Sequence, residues 1–332
     1  MLSFLASIPS PPSDRISIGP FDFRFYGLMI AFGVMAAVEI GRRRWDAKGG
    51  DPDDVVKIAT WAVPAGLVGA RLYHVATDWK SYQGRWIEAL YVWKGGLGIP
   101  GGLLLGILVG VIIARGLNMN LRVAVDALIP GIPVAQAIGR LGNWFNQEIF
   151  GMPTDKPWGV EIDEAYRPTE FIDSPTFHPT FLYEALWNLA LAGSLILIDR
   201  RKILKPGQIL PLWVVGYGVG RFIVEGLRID SASLIWGIRV NLWVSGIAIV
   251  GGLLWFVWMG KTAPDGPSAR LPYGDLDSLD VEPEVAEVLD GEVVAPVEVV
   301  GAGDSGGALG GSGGEDVGEA APDVGDIDVT PS

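Results

Sequence analysis

The hydrophobic positions of this chain fall into seven long apolar stretches, separated mostly by short polar connections. A helix needs about 20 mostly apolar residues to cross the hydrocarbon core of a bilayer, and each stretch comes close to that length. The pattern therefore predicts an all-α polytopic integral membrane protein with about seven transmembrane helices. The predicted spans are approximately residues 25–41, 55–76, 97–114, 122–145, 180–199, 208–227 and 240–260.

The lysine and arginine positions predict how these spans are oriented. On one side of the membrane the connections carry compact basic clusters directly at the ends of the spans, such as residues 42–44 and 200–202. The positive-inside rule makes that side cytoplasmic. The N-terminus is then extracytoplasmic and the C-terminus cytoplasmic. The one long connection, residues 146–179, forms a small extracytoplasmic head segment.

Charge separates the C-terminal residues from the rest of the chain. Residues 263–332 contain 17 acidic side chains and one basic side chain, Arg270, whereas residues 1–262 carry a net charge of +3. The C-terminal part is rich in Gly, Pro and Ala and has too few large apolar residues to form a core. We therefore predict a membrane domain over residues 1–262 and a disordered, acidic, low-complexity cytoplasmic tail over residues 263–332.

The composition also excludes several classes of function. The chain has no cysteine, which excludes disulfides, thiolate metal sites and a cysteine nucleophile of its own. Its two histidines, His74 and His178, are too few for a histidine-rich metal site. Neither phosphate-binding glycine motif is present, and no basic patch argues for nucleic acid.

Ionisable side chains inside the predicted spans are the first candidates for function, because inserting each costs about 2.5–3.5 kcal/mol or more. Arg71, Arg140, Arg221 and Glu225 lie in or at the ends of spans, and a structural role is the alternative, above all for Arg71. Tyr217, Arg221 and Glu225 follow one another at intervals of four, which puts them on one helix face. Arg221 and Glu225 can pair there, and the face must look into a cavity.

The segment GRLGNWFNQEIFG, residues 139–151, holds polar groups at the end of an apolar span. At 100° per residue, Arg140, Asn143 and Asn146 spread over a sector of roughly 120°, and Glu148 falls outside it. We therefore expect the helix to end near Asn143 and the chain to turn back, with its glycines permitting the turn and close approach. Arginines from two spans, with amides beside them, suit a phosphate.

Two further segments carry candidate chemistry. In FHPTFLYE, residues 177–184, His178 precedes a helix start; it is about equally suited to an interfacial hydrogen bond and to a direct role, and spacing does not say which way Glu184 faces. In WKGGLGIPGG, residues 93–102, Lys94 meets a glycine-rich turn. Lys94 either anchors the helix among lipid headgroups or belongs to a site.

These segments resemble the motifs of a known family. GRLGNWFNQEIFG resembles the signature of the prolipoprotein diacylglyceryl transferases, FHPTFLYE their HPxxLYE segment, YGVGRFIVEGLR their YGxxRFxxExxR segment, and FYGLMIAFG the YG motif of their first span. The segments follow the family order. The similarity covers about residues 20–260 and leaves the tail outside.

The resemblance implies a seven-span enzyme of the bacterial inner (plasma) membrane. It implies transfer of the diacylglyceryl group of phosphatidylglycerol to the lipobox cysteine of a prolipoprotein signal peptide, which forms a thioether, releases glycerol-1-phosphate and begins lipoprotein maturation. No cofactor is expected. Arg140 and Arg221 would stabilise the phosphate leaving group. The substrate-binding candidates are Tyr26, Asn143, Asn146, Glu148, Gly151, Tyr217 and Glu225.

The residue that accepts the thiol proton stays open at this point. Many members of the family carry a histidine before the GGL turn, where this chain has Lys94. Lysine can act as a base only if burial or a neighbouring cation lowers its pKa. His178 is the other candidate, and His74 is a poorer one.

Two other classes of protein compete with a transferase. A multi-span transporter with an arginine-lined solute site should show related halves with interrupted helices at matching positions, and the chain shows no such repeat. A non-catalytic membrane scaffold would not need Arg140, Arg221 and Glu225 inside its spans.

Overall fold

A computed structural model describes residues 7–19, 21–92, 95–230 and 232–274 of the chain. Within these residues the chain is predominantly helical, as the apolar pattern predicts. The helices are α1 (Phe25–Asp46), α2 (Pro52–Thr77), α3 (Ile99–Gly116), α4 (Leu121–Leu128), α5 (Gly131–Phe145), α6 (Thr180–Arg200), α7 (Ile209–Glu225) and α8 (Val240–Thr262).

The helices follow the predicted spans to within a few residues. Six stretches of the described chain are long and apolar enough to cross a membrane, and one of them, Leu121–Phe145, consists of α4 and α5 together. Pro130 lies between these two helices and has no amide hydrogen to donate. Helix α7 has 17 residues, at the short end of the range for a span, so the count of seven spans stays a prediction. The six long apolar stretches make the protein a polytopic membrane protein.

The strands are short antiparallel pairs that connect helices. Hairpin β1–β2 joins Arg15–Ile18 to Phe21–Arg24 just before α1. Strands β3 (Val160–Glu161) and β4 (Thr176–Phe177) pair within the head segment, and β5 (Leu234–Ile235) pairs with β6 (Ile238–Arg239) before α8.

Neighbouring helices pack in a simple order: α3 on α2, α2 on α1, α1 on α5, α5 on α6, α6 on α7 and α7 on α8. Helices α2 and α3 are in close backbone contact where Gly69 faces Gly101. A Cβ atom at Gly101 would collide with the carbonyl oxygen of Gly69. Small residues at such crossings allow the dispersion contacts that hold helices together in lipid.

The head segment, residues 146–179, has a small apolar core of its own. Phe150, Val160, Ile162 and Phe177 are buried there, together with Phe181 on the first turn of α6. The N-terminal residues complete this core, because Ile8 packs against it and pairs with Val160. The head is thereby fixed over the ends of α5 and α6, where the polar segments of the sequence meet.

The boundary predicted for the C-terminal tail needs a correction. Residues 263–274 pack against the helix ends instead of forming the start of a disordered tail. The backbone amide of Asn120 donates to the carbonyl of Pro272 at 2.8 Å, and the Tyr273 hydroxyl donates to Asp54 at 2.8 Å. Ala269 is buried. The prediction of disorder for residues 275–332 lies outside the described residues.

The α2–α3 crossing gives a test of this packing. Gly101→Ala should lower the free energy of unfolding by about 1–3 kcal/mol, because the added methyl group must push α3 away from Gly69. Thermal unfolding in detergent measures the change. Gly193→Ala on α6 is the matched control, since a Cβ atom there meets nothing within 4 Å. Equal melting temperatures for the two variants would contradict the close contact.

Candidate active site

Glu184, near the start of α6, is the centre of the polar cluster. The residue is only 5% exposed. Arg140 of α5 forms an ion pair with its Oε2 atom, and Arg221 of α7 lies 3.1 Å from its Oε1 atom. Arg228, just beyond α7, lies 3.4 Å from the same oxygen. One buried carboxylate therefore gathers three guanidinium groups from three parts of the chain.

Glu225 extends the cluster from the other side of Arg221. It is fully buried, and its Oε2 atom lies 2.7 Å from Nη2 of Arg221, one helical turn earlier. Its Oε1 atom accepts hydrogen bonds from Arg239 at 2.5 Å and from Asn241 at 3.1 Å. The predicted pairing of Arg221 with Glu225 is confirmed. The structure adds that Arg221 joins two carboxylates, Glu184 and Glu225.

Asp230 completes the cluster outside the helices. Its Oδ1 atom accepts a hydrogen bond from Nε of Arg228 at 2.6 Å, and its carbonyl oxygen accepts one from Arg239 at 3.0 Å. Burial acts to raise the pKa of the Asp230 carboxyl, but the hydrogen bond and the charge of Arg228 hold that pKa below its ordinary value. Asp230 therefore stays ionised and ties Arg228 to Arg239.

The signature segment forms a hydrogen-bonded loop beside Arg140. Asn143 and Asn146 both donate to Oε1 of Glu148, at 2.9 and 3.1 Å. Arg140 in turn donates to the side-chain oxygen of Asn143 at 3.4 Å. As predicted, Glu148 lies off the helix face of Arg140 and Asn143, because α5 ends at Phe145. The returning chain nevertheless brings Glu148 within hydrogen-bonding distance of Asn143 and Asn146.

The turn that returns the chain is not made by glycines. Helix α5 ends at Phe145, close to the predicted end, and the residues with positive φ are Gln147 at 50° and Ile149 at 56°. Such angles are rare for side-chain-bearing residues and are maintained only by strong surrounding contacts. Here Gln147 exchanges two hydrogen bonds with Asp163 of the head, at 2.6 and 2.7 Å, and Thr180 donates to the Ile149 carbonyl at 2.7 Å.

The predicted close approach at glycines is confirmed at two positions near the site. A Cβ atom at Gly142 would lie 2.7 Å from the ring of Tyr26, which brings the start of α1 against α5 between Arg140 and Asn143. A Cβ atom at Gly151 would lie 2.6 Å from the carbonyl oxygen of Leu227. The loop therefore packs directly on the end of α7.

A small recess opens beside Arg221. Tyr217, one turn before Arg221, lines it together with Glu184 and Asn188. The side-chain oxygen of Asn188 is buried and accepts no hydrogen bond from the described residues. Tyr217 and Arg221 thus share one polar surface, as their spacing predicts.

Of the two candidate bases for the thiol proton, the structure describes the surroundings of His178 only. His178 precedes α6, and its Nδ1 atom lies 3.0 Å from the hydroxyl of Tyr183, which also accepts a hydrogen bond from Trp158 at 2.8 Å. The carbonyl of His178 accepts a hydrogen bond from the amide of Gly151 at 2.8 Å, which places His178 at the edge of the signature loop. Lys94 lies outside the described residues.

Arg71 belongs to a separate structural contact. Its guanidinium donates to the carbonyl oxygens of Glu88 and Ala89 at 2.7 Å each, and to those of Gly95 and Gly96 at 2.5 and 3.0 Å. Arg71 therefore fixes the connection between α2 and α3, which supports its structural interpretation.

The cluster has no net formal charge. Four guanidinium groups balance four carboxylates among the described side chains of the site, so the attraction between opposite charges offsets part of the desolvation cost of burying them. Sequence reasoning missed part of this set. FHPTFLYE contains Glu184 without showing its direction, YGVGRFIVEGLR ends in Arg228 without showing what it contacts, and nothing local marks the others. The members whose contacts in the cluster are seen only in the structure are Glu184, Asn188, Arg228, Asp230, Arg239 and Asn241.

Comparison with known proteins identifies the group to which this arrangement belongs. The profile of the family described as prolipoprotein diacylglyceryl transferase matches residues 14–258. The chain belongs to the prolipoprotein diacylglyceryl transferase family. The resemblance of its four motifs is thereby confirmed.

Individual members of the family match over most of their length. The chain is 44% identical over 296 residues to a phosphatidylglycerol–prolipoprotein diacylglyceryl transferase 2 of Streptomyces coelicolor, covering 88% of this chain and 93% of that protein. It is 43% identical over 312 residues to the corresponding transferase of Rhodococcus jostii, covering 90% and 87%. It is 47% identical over 252 residues to that of Frankia alni, covering 75% and 66%. These matches do not support the transporter hypothesis.

In this member of the family, Glu184→Gln should destabilise the fold. The neutral amide leaves Arg140, Arg221 and Arg228 without their shared counter-charge, and breaking a buried ion pair costs about 3–5 kcal/mol. Thermal unfolding in detergent measures the loss. Glu170→Gln, an exposed change in the head segment, is the control and should leave the melting temperature unchanged. A wild-type melting temperature for Glu184→Gln would show that Glu184 does not hold the cluster together.

Proposed function

We propose that this protein transfers the diacylglyceryl group of phosphatidylglycerol to the lipobox cysteine of prolipoprotein signal peptides, the first step of lipoprotein maturation. The observation that carries the proposal is the convergence of Arg140 and Arg221, from separate helices, on the buried carboxylate of Glu184. Relatives over most of the chain bear the name of this activity.

The chemistry requires stabilisation of a phosphate. The thiolate sulfur of the substrate attacks the glyceryl carbon that carries the phosphate ester, a carbon–sulfur bond forms, and the carbon–oxygen bond to phosphate breaks. The phosphodiester carries one negative charge, and the released glycerol-1-phosphate carries up to two. Negative charge therefore grows on the phosphate oxygens as the bond breaks, and fixed guanidinium groups stabilise that growth in a site of low dielectric constant.

Arg140 and Arg221 retain donors for this purpose. A guanidinium has five N–H groups. The described contacts of Arg140 engage its two Nη atoms, with Glu184 and Asn143, and those of Arg221 engage its two Nη atoms, with Glu184 and Glu225. Each Nη atom carries two hydrogens, so both arginines keep N–H groups for phosphate oxygens. Glu184 acts in this scheme as a positioning residue.

The polar groups around the arginines suit the glycerol headgroup. We assign the loop of Asn143, Asn146 and Glu148 to the headgroup hydroxyls, because its amides and carboxylate supply both donors and acceptors. Tyr217, one turn before Arg221, would form a wall of the headgroup pocket. Tyr26 and Gly151 close the site on either side of the loop, and Glu225 positions Arg221.

The orientation follows from where the charges lie. The basic clusters at residues 42–44 and 200–202 stand at the C-terminal ends of α1 and α6, opposite the site at the start of α6. With those clusters in the cytoplasm, the head segment and the arginine cluster face the extracytoplasmic side of a bacterial plasma membrane. A lipobox cysteine would then reach the site from outside.

The first test is transfer by the purified protein, with phosphatidylglycerol and a lipobox peptide, measured as mass added to the cysteine. Arg140→Gln and Arg221→Gln should each lower the rate at least about 100-fold, the usual cost of removing one donor to a developing anion. Arg42→Gln is the control, because Arg42 pairs with Glu39 at the opposite end of α1.

Arg140→Lys and Arg221→Lys separate catalysis from folding, because lysine keeps the charge beside Glu184 but loses the planar fork of donors. Melting temperatures near wild type with a strongly reduced rate would support the phosphate role. A stable wild-type protein that adds no mass to the peptide would contradict the proposed function.

For the thiol proton we propose His178 in preference to Lys94. Tyr183 has two oxygen lone pairs, one of which receives the Trp158 N–H. If Nδ1–H of His178 donates to the other, Nε2 carries a free lone pair that can accept the proton. Tyr183 would then fix the tautomer, as the partner of a catalytic histidine does.

This assignment predicts a change in the pH dependence of transfer. A base works only when it is unprotonated, so the wild-type rate should fall as the pH is lowered. His178→Gln should lower the rate about 100-fold or more and abolish that acid limb. Lys94→Gln should keep the wild-type profile. If Lys94→Gln instead abolishes the limb while His178→Gln retains it, the assignment is wrong.

A further inference from the structure

A large cavity lies at the opposite end of the helices from the arginine cluster, with a volume of about 1190 Å³. It is enclosed by the C-terminal ends of α1 and α6, by α4, by the connection from α6 to α7, and by residues 266–271. Asp199 lines this cavity and Glu184 lies in the arginine cluster. Asp199 follows Glu184 by 15 positions along α6, a rise of about 22 Å, so the two sites are separate.

The lining of the cavity is both apolar and cationic. Its apolar side chains include Ile40 and Ile196 on the membrane-spanning parts of α1 and α6. Its charged side chains carry a net charge of +3. They are Arg43, Arg44, Lys48, Arg200, Lys202 and Arg270, against Asp46, Asp126 and Asp199.

Part of this charge is already neutralised within the protein. Asp199 lies 2.7 Å from Arg44 and 3.0 Å from Lys48. Asp126 accepts the backbone amides of Gly207 and Ile209 at 2.6 and 3.0 Å. The Asp126 carboxylate is therefore engaged by backbone amides at the start of α7.

Arg200 and Lys202 differ from the other lining cations because their side chains have neither an ion pair nor a hydrogen bond among the described residues. Both side chains are exposed. The end of α6 thus presents two cations to the cavity without a counter-ion from the surrounding residues.

The outer wall of the cavity is a fixed part of the fold. The guanidinium of Arg270 donates to the carbonyl oxygens of Lys202 and Leu204 at 2.9 and 3.0 Å. Asn120 holds the next residue by donating to the Leu271 carbonyl at 3.2 Å. Residues 266–271 therefore close one side of a formed cavity.

We propose that this cavity binds the phosphate of an anionic phospholipid from the adjoining leaflet. Arg200 and Lys202 contact the phosphate, and Ile40 and Ile196 contact the upper part of an acyl chain. Basic pockets between membrane helices select anionic headgroups in this way, and the combination of apolar wall and cationic rim favours a lipid over a soluble anion. The proposal is independent of the transfer reaction.

The absence of cysteine allows a probe to be placed at this site alone. Ala47→Cys, at an exposed position in the lining, carries an environment-sensitive bimane label in the full chain, purified in detergent. Dioctanoyl phosphatidic acid, dioctanoyl phosphatidylcholine and inorganic phosphate are titrated separately. Lipid bound at the distant arginine cluster does not contact this label.

Phosphatidic acid should give a saturable change in fluorescence, and the other two ligands should bind at least tenfold more weakly. Arg200→Gln with Lys202→Gln should weaken phosphatidic acid binding about 30-fold, since each cation near an anionic headgroup contributes a factor of about five. Arg115→Gln with Lys261→Gln removes the same charge at the same end of the helices, outside the lining, and should change binding less than twofold.

Three outcomes would overturn the proposal. One is the absence of a saturable response to phosphatidic acid. Another is equal weakening by the two double variants, which would indicate a general surface charge effect. The third is binding of inorganic phosphate as tight as that of the lipid, which would assign the cavity to a soluble anion.

Discussion

The site depends on one buried carboxylate that holds three positive charges together. Without Glu184, the guanidinium groups of Arg140, Arg221 and Arg228 would repel one another in a partly buried setting. With it, the ends of α5, α6 and α7 are fixed at one level. The same contact therefore joins the helices and brings together side chains that lie far apart in the sequence, as the proposed binding of one phosphate requires.

Much of the fold could be predicted from the sequence because its signals are local. An apolar stretch of sufficient length marks each span, and the helices begin and end within a few residues of the predicted limits. The face shared by Tyr217, Arg221 and Glu225 follows from helical geometry alone. The tail boundary was wrong because average composition over residues 263–332 conceals the few anchors, such as Tyr273, that hold the first twelve residues in place.

The missing parts of the site involve contacts that no local pattern encodes. Glu184 meets Arg221 across 37 positions of sequence, and its direction on α6 depends on where α5 and α7 lie. Arg239 arrives from the strand β6. The turn after α5 was assigned to glycines, but Gln147 and Ile149 adopt the positive φ angles because the head segment supplies the compensating hydrogen bonds. Tertiary contacts override local preference at these positions.

The balance of charge in the arginine cluster has a consequence for how lipids reach it. A strongly positive site would attract anionic headgroups from a distance, and in an anionic membrane it would bind any anionic lipid without distinguishing among them. A neutral cluster exerts little long-range field, so a lipid is distinguished only when its headgroup touches the loop and the arginines. If the arginine cluster is the lipid site, as proposed, selection among bilayer lipids takes place at contact distance and depends little on the surface charge of the surrounding membrane.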